Sequence, residues 1–236
     1  HSTGAAQPAP SVPFAEGALV SSRLGPDSSI HQTLSWIATL ILANLIFVGL
    51  AVPVFTAGPG LLVMALVCAR LIDSESTAIL PALRSALGGA GVAASLLFLG
   101  EIAFALLLGW EWMVFSSLAD PILRFVAQAV LVFVAVLLLL LHVWVWPMMA
   151  QRLREKGRIS VTELPMLLRA ALLVSIGKLP RSILAIAVAI GPLALAAVSL
   201  PWLIRVGFWF LLFGVAFSMY VCVLATHPVL VSSDSR

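Results

Sequence analysis

Long apolar runs, separated by short polar or proline-containing segments, dominate the chain. They occupy residues 34–55, 60–72, 87–110, 122–146, 180–200 and 206–225. A helix that crosses the bilayer core needs about 20 mainly apolar residues. Apolar and polar positions do not alternate within these runs, as they would in the strands of a membrane β-barrel. The pattern predicts an all-α fold, a polytopic transmembrane helical bundle.

The number of spans depends on the stretch "VPVFTAGPG", residues 52–60. Pro53 has no backbone N–H, and Pro59 disfavours helical geometry at Gly58. We therefore expect a helix end, a turn and a new helix with Pro59 in its first position. The following run, residues 60–72, is short for a hydrocarbon core of about 30 Å. Six spans are favoured, with the first hairpin broken at this turn, and five remain possible if residues 60–72 do not cross.

The polar segments between the runs predict further elements. "DSESTAILPALRS" is expected to form a loop and a short surface helix. In the basic loop "QRLREKGRISVTELP", Ser160 and Glu163 have the spacing of a capping box. Leucines at helical spacing then predict an in-plane or shallow helix over residues 161–176. Pro201 and Arg205 predict a tight turn before the last span.

The expected domain organisation is simple. Residues 1–30 are rich in Pro, Ser, Gly and Ala, a composition typical of a disordered N-terminal tail. Residues 31–230 are expected to form a single transmembrane helical domain, and residues 231–236 a C-terminal tail.

Composition and charge support a membrane protein. Hydrophobic residues make up 62% of the chain and charged residues 10%, whereas soluble domains are about half apolar and about a quarter charged. Seven of the 13 Lys and Arg residues lie between Arg152 and Arg181. Such a cluster indicates a cytoplasmic loop rather than a nucleic-acid site.

The basic cluster also sets the expected orientation. With six spans both termini are cytoplasmic, and 11 of the 13 basic residues lie on the cytoplasmic side. With five spans the count is ten of 13, so charge does not separate the two topologies. Both topologies place the C-terminus in the cytoplasm.

The sequence carries no motif of a known catalytic site. It lacks a Gly-x-Ser-x-Gly, a His-Glu-x-x-His and a phosphate-binding loop. Cys68 and Cys222 are isolated in apolar runs, without metal-ligand spacing. We therefore expect a non-enzymatic protein with no cofactor and no metal.

Three residues form a candidate intramembrane polar site: Glu101, Asn44 and His142. Glu101 lies in the middle of a predicted span, where an ionisable group is a functional hypothesis by default. It is either protonated or paired with His142 on the following antiparallel span. The alternative for Glu101 is a structural hydrogen bond between helices. The alternative for His142 is a packed or interface histidine, and Asn44 would bond a neighbouring helix or cap the broken turn. Thr56 is expected to satisfy carbonyl groups that the broken turn leaves free.

A second candidate surface is the basic loop itself. Its residues are Arg152, Arg154, Lys156 and Arg158. Clusters of this density bind anionic lipid head groups or a partner protein. The alternative is that they only set topology.

The segment "NLIFVGLAVPVFTAGPG" resembles the YesL-like family of bacterial membrane proteins. Members carry an Asn, an apolar stretch and an "lPvvTiGPa" segment near the N-terminus. The matching positions, a structural signature, are Asn44, Pro53, Thr56, Gly58 and Pro59. "VWPMMAQRL" and "KLPRSILAI" are similar to the exit of a central span and the opening of the next in that family. The resemblance covers roughly residues 30–230 and departs at Gly60, where members usually carry Ala.

The resemblance implies a multi-pass protein of the bacterial cytoplasmic membrane that serves carbohydrate ABC transporters. It supplies no catalytic residues. The expected function is an accessory or assembly subunit of a carbohydrate ABC importer. Membrane lipids and ABC permease subunits are the expected partners, nucleic acid is not, and the oligomeric state is left open.

The alternative is a stand-alone small-solute transporter or channel with a polar intramembrane site. The surroundings of Glu101 discriminate between the two. If Glu101 lines a wet cavity with Asn44, the transporter is favoured, whereas a position facing lipid or a partner protein favours the accessory subunit.

Overall fold

The computed structural model describes residues 29–73 and 78–234. The described residues form helices and contain no strand. The helices are α1 (Ser29–Ala51), α2 (Ala57–Ile72), α3 (Ile79–Ser116), α4 (Pro121–Lys156), α5 (Leu164–Gly177), α6 (Leu179–Ala196), α7 (Leu200–Trp209) and α8 (Val215–Asp234). Short 3-10 turns at Val54–Thr56 and Val161–Glu163 precede α2 and α5, and a π-helical segment, Phe210–Gly214, joins α7 to α8.

Within the described residues, six helical segments are long and apolar enough to cross a membrane. They are Gln32–Ala51, Val54–Ile72, Ile79–Ser116, Pro121–Lys156, Leu179–Ala196 and Leu200–Pro228. The predicted all-α polytopic bundle is therefore confirmed, and by length and composition the segment that contains residues 60–72 is one of the six.

The chain divides into two compact units, residues 1–38 and residues 39–236. The described part of the first unit is the beginning of α1. The predicted tail, residues 1–30, lies outside the described residues except for its last two, which belong to α1. The second unit contains the rest of α1 and the other helices.

Helix α2 forms the centre of the second unit. Thirteen of its 16 residues are buried, and it packs against α3, α4 and α8. The face of α3 that is buried consists mostly of alanines, at positions 82, 86, 90, 93 and 94. Small side chains let helix backbones approach closely. The closest approach is at Gly58, where an added Cβ would lie 2.1 Å from the carbonyl oxygen of Ala94.

Helices α3 and α4 extend well beyond this packed centre. They contain 38 and 36 residues, so each is about 55 Å long. Because Gly58 contacts Ala94, the turn between α1 and α2 lies beside the middle of α3. Beyond that level, residues 98–116 and 121–139 form what we call the distal hairpin. Leu131 is its one buried residue.

Two predicted boundaries around α3 and α4 are wrong. "DSESTAILPALRS" does not end in a separate surface helix, because α3 runs without a break from Ile79. Pro81 lies in the first turn of α3, where backbone N–H groups have no helical partner in any case. Helix α4 continues through Pro147 to Lys156 instead of ending at Trp146, and it stops at Gly157, which is left-handed with φ 71°.

Three further boundaries differ at the ends of other helices. Pro59 is the third residue of α2 rather than the first. The tight turn predicted at Pro201 is wrong, because Pro201 is the second residue of α7 and the chain turns before Leu200. The last span was predicted to end at residue 225, but α8 continues to Asp234. In contrast, the capping box of Ser160 and Glu163 is confirmed.

Candidate intramembrane polar site

Glu101 on α3 and His142 on α4 contact each other directly. Glu101 Oε2 lies 3.0 Å from His142 Nδ1. One helical turn further along α4, the indole Nε1 of Trp146 lies 3.2 Å from the same His142 nitrogen. Trp146 is completely buried. The three side chains form a chain of polar contacts inside an apolar helix pair, and we call them the polar triad.

The hydrogen-bonding capacities of the triad favour one arrangement of protons. An indole N–H only donates, so Trp146 needs His142 Nδ1 as an acceptor. Glu101 Oε2 lies 3.0 Å from the same bare nitrogen, and this contact needs a proton between the two atoms, which a protonated carboxyl group supplies, so that the Nδ1 lone pair is shared by two donors. In this arrangement the triad is uncharged, as expected for a group that is expensive to ionise within hydrocarbon. The two alternatives for Glu101, protonation and pairing with His142, are thus compatible.

Glu101 also lines a groove between α3, α4 and α5. The groove has a volume of about 450 Å³. Eleven of its 12 lining residues are apolar: Leu96, Leu97, Gly100, Phe104, Val134, Leu137, Leu138, Leu141, Leu164, Leu168 and Leu172. Leu164, Leu168 and Leu172 follow one another at four-residue spacing, so α5 presents one leucine face to the groove. Glu101 is the single polar residue in this lining.

One oxygen of Glu101 has no partner. The Glu101 side chain is 10% exposed, and its Oε1 atom is buried without a hydrogen bond to any described residue. Leaving a buried polar atom unpaired costs about 1–3 kcal/mol. Glu101 therefore carries an unpaired acceptor atom, buried beside the groove.

His142 borders a second, smaller cavity on the other side of the pair. That cavity has a volume of about 80 Å³ and is bordered by α2, α4, α6 and α8. The His142 side chain is 41% exposed. The polar triad thus lies between the groove and this cavity.

Asn44 lies elsewhere and is not part of the triad. Its amide nitrogen donates to the carbonyl groups of Phe210, at 3.0 Å, and Leu211, at 2.7 Å. Its Oδ1 accepts from the backbone N–H of Ala216 at 2.9 Å. A π-helical segment leaves backbone groups displaced from the regular ladder, and Asn44 satisfies three of them. The structure therefore brings Glu101 and His142 together but places Asn44 in a helix-to-helix contact.

The signature residues of the broken turn have local roles. The Thr56 hydroxyl lies within hydrogen-bonding reach of two carbonyl oxygens, that of Pro53 at 2.9 Å and that of Leu50. Pro53 has an extended conformation immediately before the 3-10 turn. Gly58 allows the close approach to Ala94, and Pro59 is buried in the first turn of α2.

Three of the four residues of the predicted basic face are already paired within the protein. Arg154 contacts Asp73 at 2.7 Å, and Lys156 contacts Glu163 at 2.9 Å. Arg152 lies 3.8 Å from Glu163 and 3.6 Å from Glu155. Arg158 borders a depression of about 300 Å³ beside the glycine-rich segment 88–91 of α3. Much of the positive charge of this face is therefore balanced internally.

These ion pairs change the acidity of two carboxyl groups. Burial acts to raise the pKa of Asp73, but hydrogen bonds with Arg154 and His227 outweigh it, so this pKa lies below its ordinary value. His227 Nε2 is 2.7 Å from Asp73 Oδ1. The hydrogen bond from Lys156 lowers the pKa of Glu163. We call the end of the bundle that carries these pairs the charged end.

Sequence reasoning missed several residues of these sites. Trp146 is not among the predicted site residues, although its spacing of four from His142 places both on one helix face. Asp73 and His227 are not among them either, because their pairing across 154 positions leaves no local signal. Within residues 29–73 and 78–234, no group of three His, Cys, Asp or Glu side chains could hold a metal ion.

The chain matches no family model, no curated protein and no solved structure.

Proposed function

We propose that this integral membrane protein is a non-enzymatic accessory or assembly subunit that binds another membrane complex inside the bilayer. A carbohydrate ABC importer of the bacterial cytoplasmic membrane is the proposed partner, through its permease subunits. The choice of partner rests on the resemblance of "NLIFVGLAVPVFTAGPG" to the YesL-like family.

The observation that carries the proposal is the distal hairpin. Apart from the groove that it shares with α5, its two helical halves are mostly exposed, and Leu131 is the one buried residue. Large apolar side chains point outward from it: Phe104, Leu106, Leu107, Trp110, Met113, Ile122, Phe125, Val130 and Phe133 are each at least 40% exposed. Helices within a membrane associate through van der Waals packing. A permease helix packed on the distal hairpin would gain such contacts.

The packed centre argues against a path for solute through the bundle. Helix α2 fills this centre, and the residues from Ala57 to Ala69 are all buried. The groove beside Glu101 opens between α3, α4 and α5 and is almost wholly apolar. Asn44 uses its amide on backbone groups instead of joining Glu101. Because Glu101 does not line a wet cavity together with Asn44, this placement favours the accessory subunit.

The charged end supports an orientation with that end in the cytoplasm. It carries Arg152, Arg154, Lys156 and Arg158, and basic residues near the ends of spans favour the cytoplasmic side. His227 contacts Asp73 at the same end, so we propose that the C-terminus is also cytoplasmic.

Co-purification tests the proposal. The tagged protein is extracted from its native membrane in mild detergent, and its partners are identified by mass spectrometry. We expect recovery of permease subunits in nearly equal amounts. Leu106→Ala with Phe133→Ala, on the distal hairpin, should reduce recovery by about tenfold, the equivalent of about 1.4 kcal/mol.

The matched control is Leu203→Ala with Phe208→Ala, which removes similarly exposed side chains from α7. This control should leave recovery unchanged. Recovery of the protein alone, in a form that survives purification, would contradict the proposal.

The second candidate is a stand-alone transporter, and the polar triad is the observation that favours it. Intramembrane ionisable pairs often mark ion or proton pathways. Purified protein in liposomes would then carry solute or protons, and Glu101→Gln would abolish the flux. The accessory proposal expects no flux from either protein.

A further inference from the structure

The unpaired oxygen of Glu101 and the groove beside it together have the features of a binding site. The groove is concave, about 450 Å³ in volume, and lined by apolar side chains with one polar residue. Small-molecule sites have this character, with a mainly hydrophobic lining and a few placed polar groups. The free acceptor indicates that the ligand brings a hydrogen-bond donor.

The position of Glu101 along α3 limits the charge of that ligand. The N–H of Ile159 donates to the carbonyl oxygen of Gly89 at 2.9 Å, so Gly89 is level with the end of α4. Glu101 is about 18 Å along the helix from Gly89 and about 22 Å from Ser116. If the bilayer core, about 30 Å thick, is centred between these two ends, Glu101 lies near its middle. A charged head group is expensive at that depth.

The size of the groove limits the ligand further. Its volume, about 450 Å³, falls within the range of about 300–1,000 Å³ that is usual for small-molecule sites, and its apolar wall suits a single hydrocarbon chain.

We propose that this groove binds an uncharged membrane lipid that carries a hydroxyl group. The hydroxyl donates a hydrogen bond to Glu101 Oε1, and the hydrocarbon chain packs on Leu138, Leu141 and Leu168. The terminal torsion of a Glu side chain is soft, so a small rotation turns Oε1 towards the ligand. Half of the groove lining, including Glu101, belongs to the distal hairpin, but binding of the lipid does not require the partner proposed for its exposed side chains.

A photoreactive hexadecanol with a diazirine in its chain is the probe. The full-length protein is placed in phosphatidylcholine nanodiscs and irradiated with the probe, and the labelled peptides are identified by mass spectrometry. We expect labelling to concentrate on groove residues of α3, α4 and α5. Unlabelled hexadecanol should compete for this labelling at least tenfold better than hexadecane, because hexadecane lacks the donor.

Two pairs of variants refine the test. Leu168→Trp fills the groove and should abolish the labelling, whereas Leu173→Trp, on an exposed position of the same helix, should not. Glu101→Leu removes the acceptor and should weaken competition by hexadecanol about tenfold. Glu101→Gln keeps an acceptor oxygen and should retain it.

Equal competition by hexadecane and hexadecanol on the unchanged protein would overturn the proposal, and this measurement needs no variant to fold. Labelling that Leu168→Trp leaves intact would overturn it as well. If the groove is unlabelled in nanodiscs but cross-links to a permease helix in native membranes, the groove belongs to the partner protein. That outcome would leave the accessory function standing.

Discussion

Gly58 at the start of α2 lies against the backbone of Ala94 on α3. An added Cβ at Gly58 would lie 2.1 Å from the carbonyl oxygen of Ala94 and 2.6 Å from its carbonyl carbon. Neither backbone atom moves without shifting a helix. This contact sets how closely the central helix approaches its main neighbour.

Gly58→Ala should therefore destabilise the protein. Overpacking of this kind costs about 1–3 kcal/mol, which corresponds to a fall of roughly 2–10 °C in the unfolding midpoint. The measurement is thermal unfolding in detergent, followed by circular dichroism. Gly49→Ala is the control, because nothing lies within 4 Å of a Cβ added there. Equal midpoints for the two variants would contradict the close approach.

Asn44→Ala should loosen the junction between α7 and α8. It removes the partners of two carbonyl groups and one N–H, and each buried group left unpaired costs about 1–3 kcal/mol. We expect faster hydrogen exchange over residues 210–216. Thr226→Ala is the control, because the Thr226 hydroxyl bonds within its own helix, to Val223. Unchanged exchange in Asn44→Ala would exclude a role for the amide at the π-helical segment.

Glu101 and His142 should be energetically coupled. Loss of His142 leaves the Glu101 carboxyl group and the Trp146 indole N–H without their partner, and loss of Glu101 removes one contact of His142 Nδ1. The cost at Trp146 is common to both proteins that lack His142, so it cancels from the cycle. A double-mutant cycle with Glu101→Leu and His142→Leu is therefore expected to show a coupling of roughly 1–3 kcal/mol. Unfolding free energies of the four proteins give this value directly. Additive losses would mean that the pair contributes no specific contact.

The contribution of Asp73 should depend on pH. Since folding lowers its pKa below the ordinary value of 3.8, the ionised carboxylate stabilises the folded protein above that value. The contribution is lost as pH falls through the lowered pKa. Asp73→Asn should thus reduce the unfolding midpoint at pH 7, where Arg154 and His227 lose their partner. The difference from the unchanged protein should shrink at pH 3.

Glu111→Gln is the control for this titration, since Glu111 makes no ion pair with the described residues. The expected effect would have the wrong sign if the difference in unfolding midpoint between Asp73→Asn and the unchanged protein grew as the pH fell.

Local properties of the sequence determined the class of this protein. Hydropathy adds up along a segment, so the apolar runs predict membrane helices without knowledge of their neighbours. The capping box of Ser160 and Glu163 was predictable for the same reason, because its groups lie within one turn. The helical spacing of the leucines around Leu168 was also visible in the sequence. The groove that these leucines line was not.

Tertiary structure decided where the helices end and at which level they meet. Pro147 predicted a break, yet it lies inside α4, where packing around the helix outweighs the loss of one backbone hydrogen bond. Pro201 predicted a turn, yet it lies in the first turn of α7, where a proline costs no helical hydrogen bond. The pairing of Glu101 with His142 was foreseeable as one alternative. The separation of Asn44 from that pair was not, because it depends on a π-helical segment some 170 residues away.

The distal hairpin shows most clearly which properties the sequence determined and which the tertiary structure decided. Its two apolar halves belong to runs that the sequence marks as spans. Helix α2 covers only the other halves of α3 and α4, because Gly58 of α2 contacts Ala94 in the middle of α3. The sequence alone determined that this chain is a bundle of membrane helices. Only the tertiary structure decided which surfaces the bundle leaves open, because the level at which two helices meet depends on contacts between distant residues.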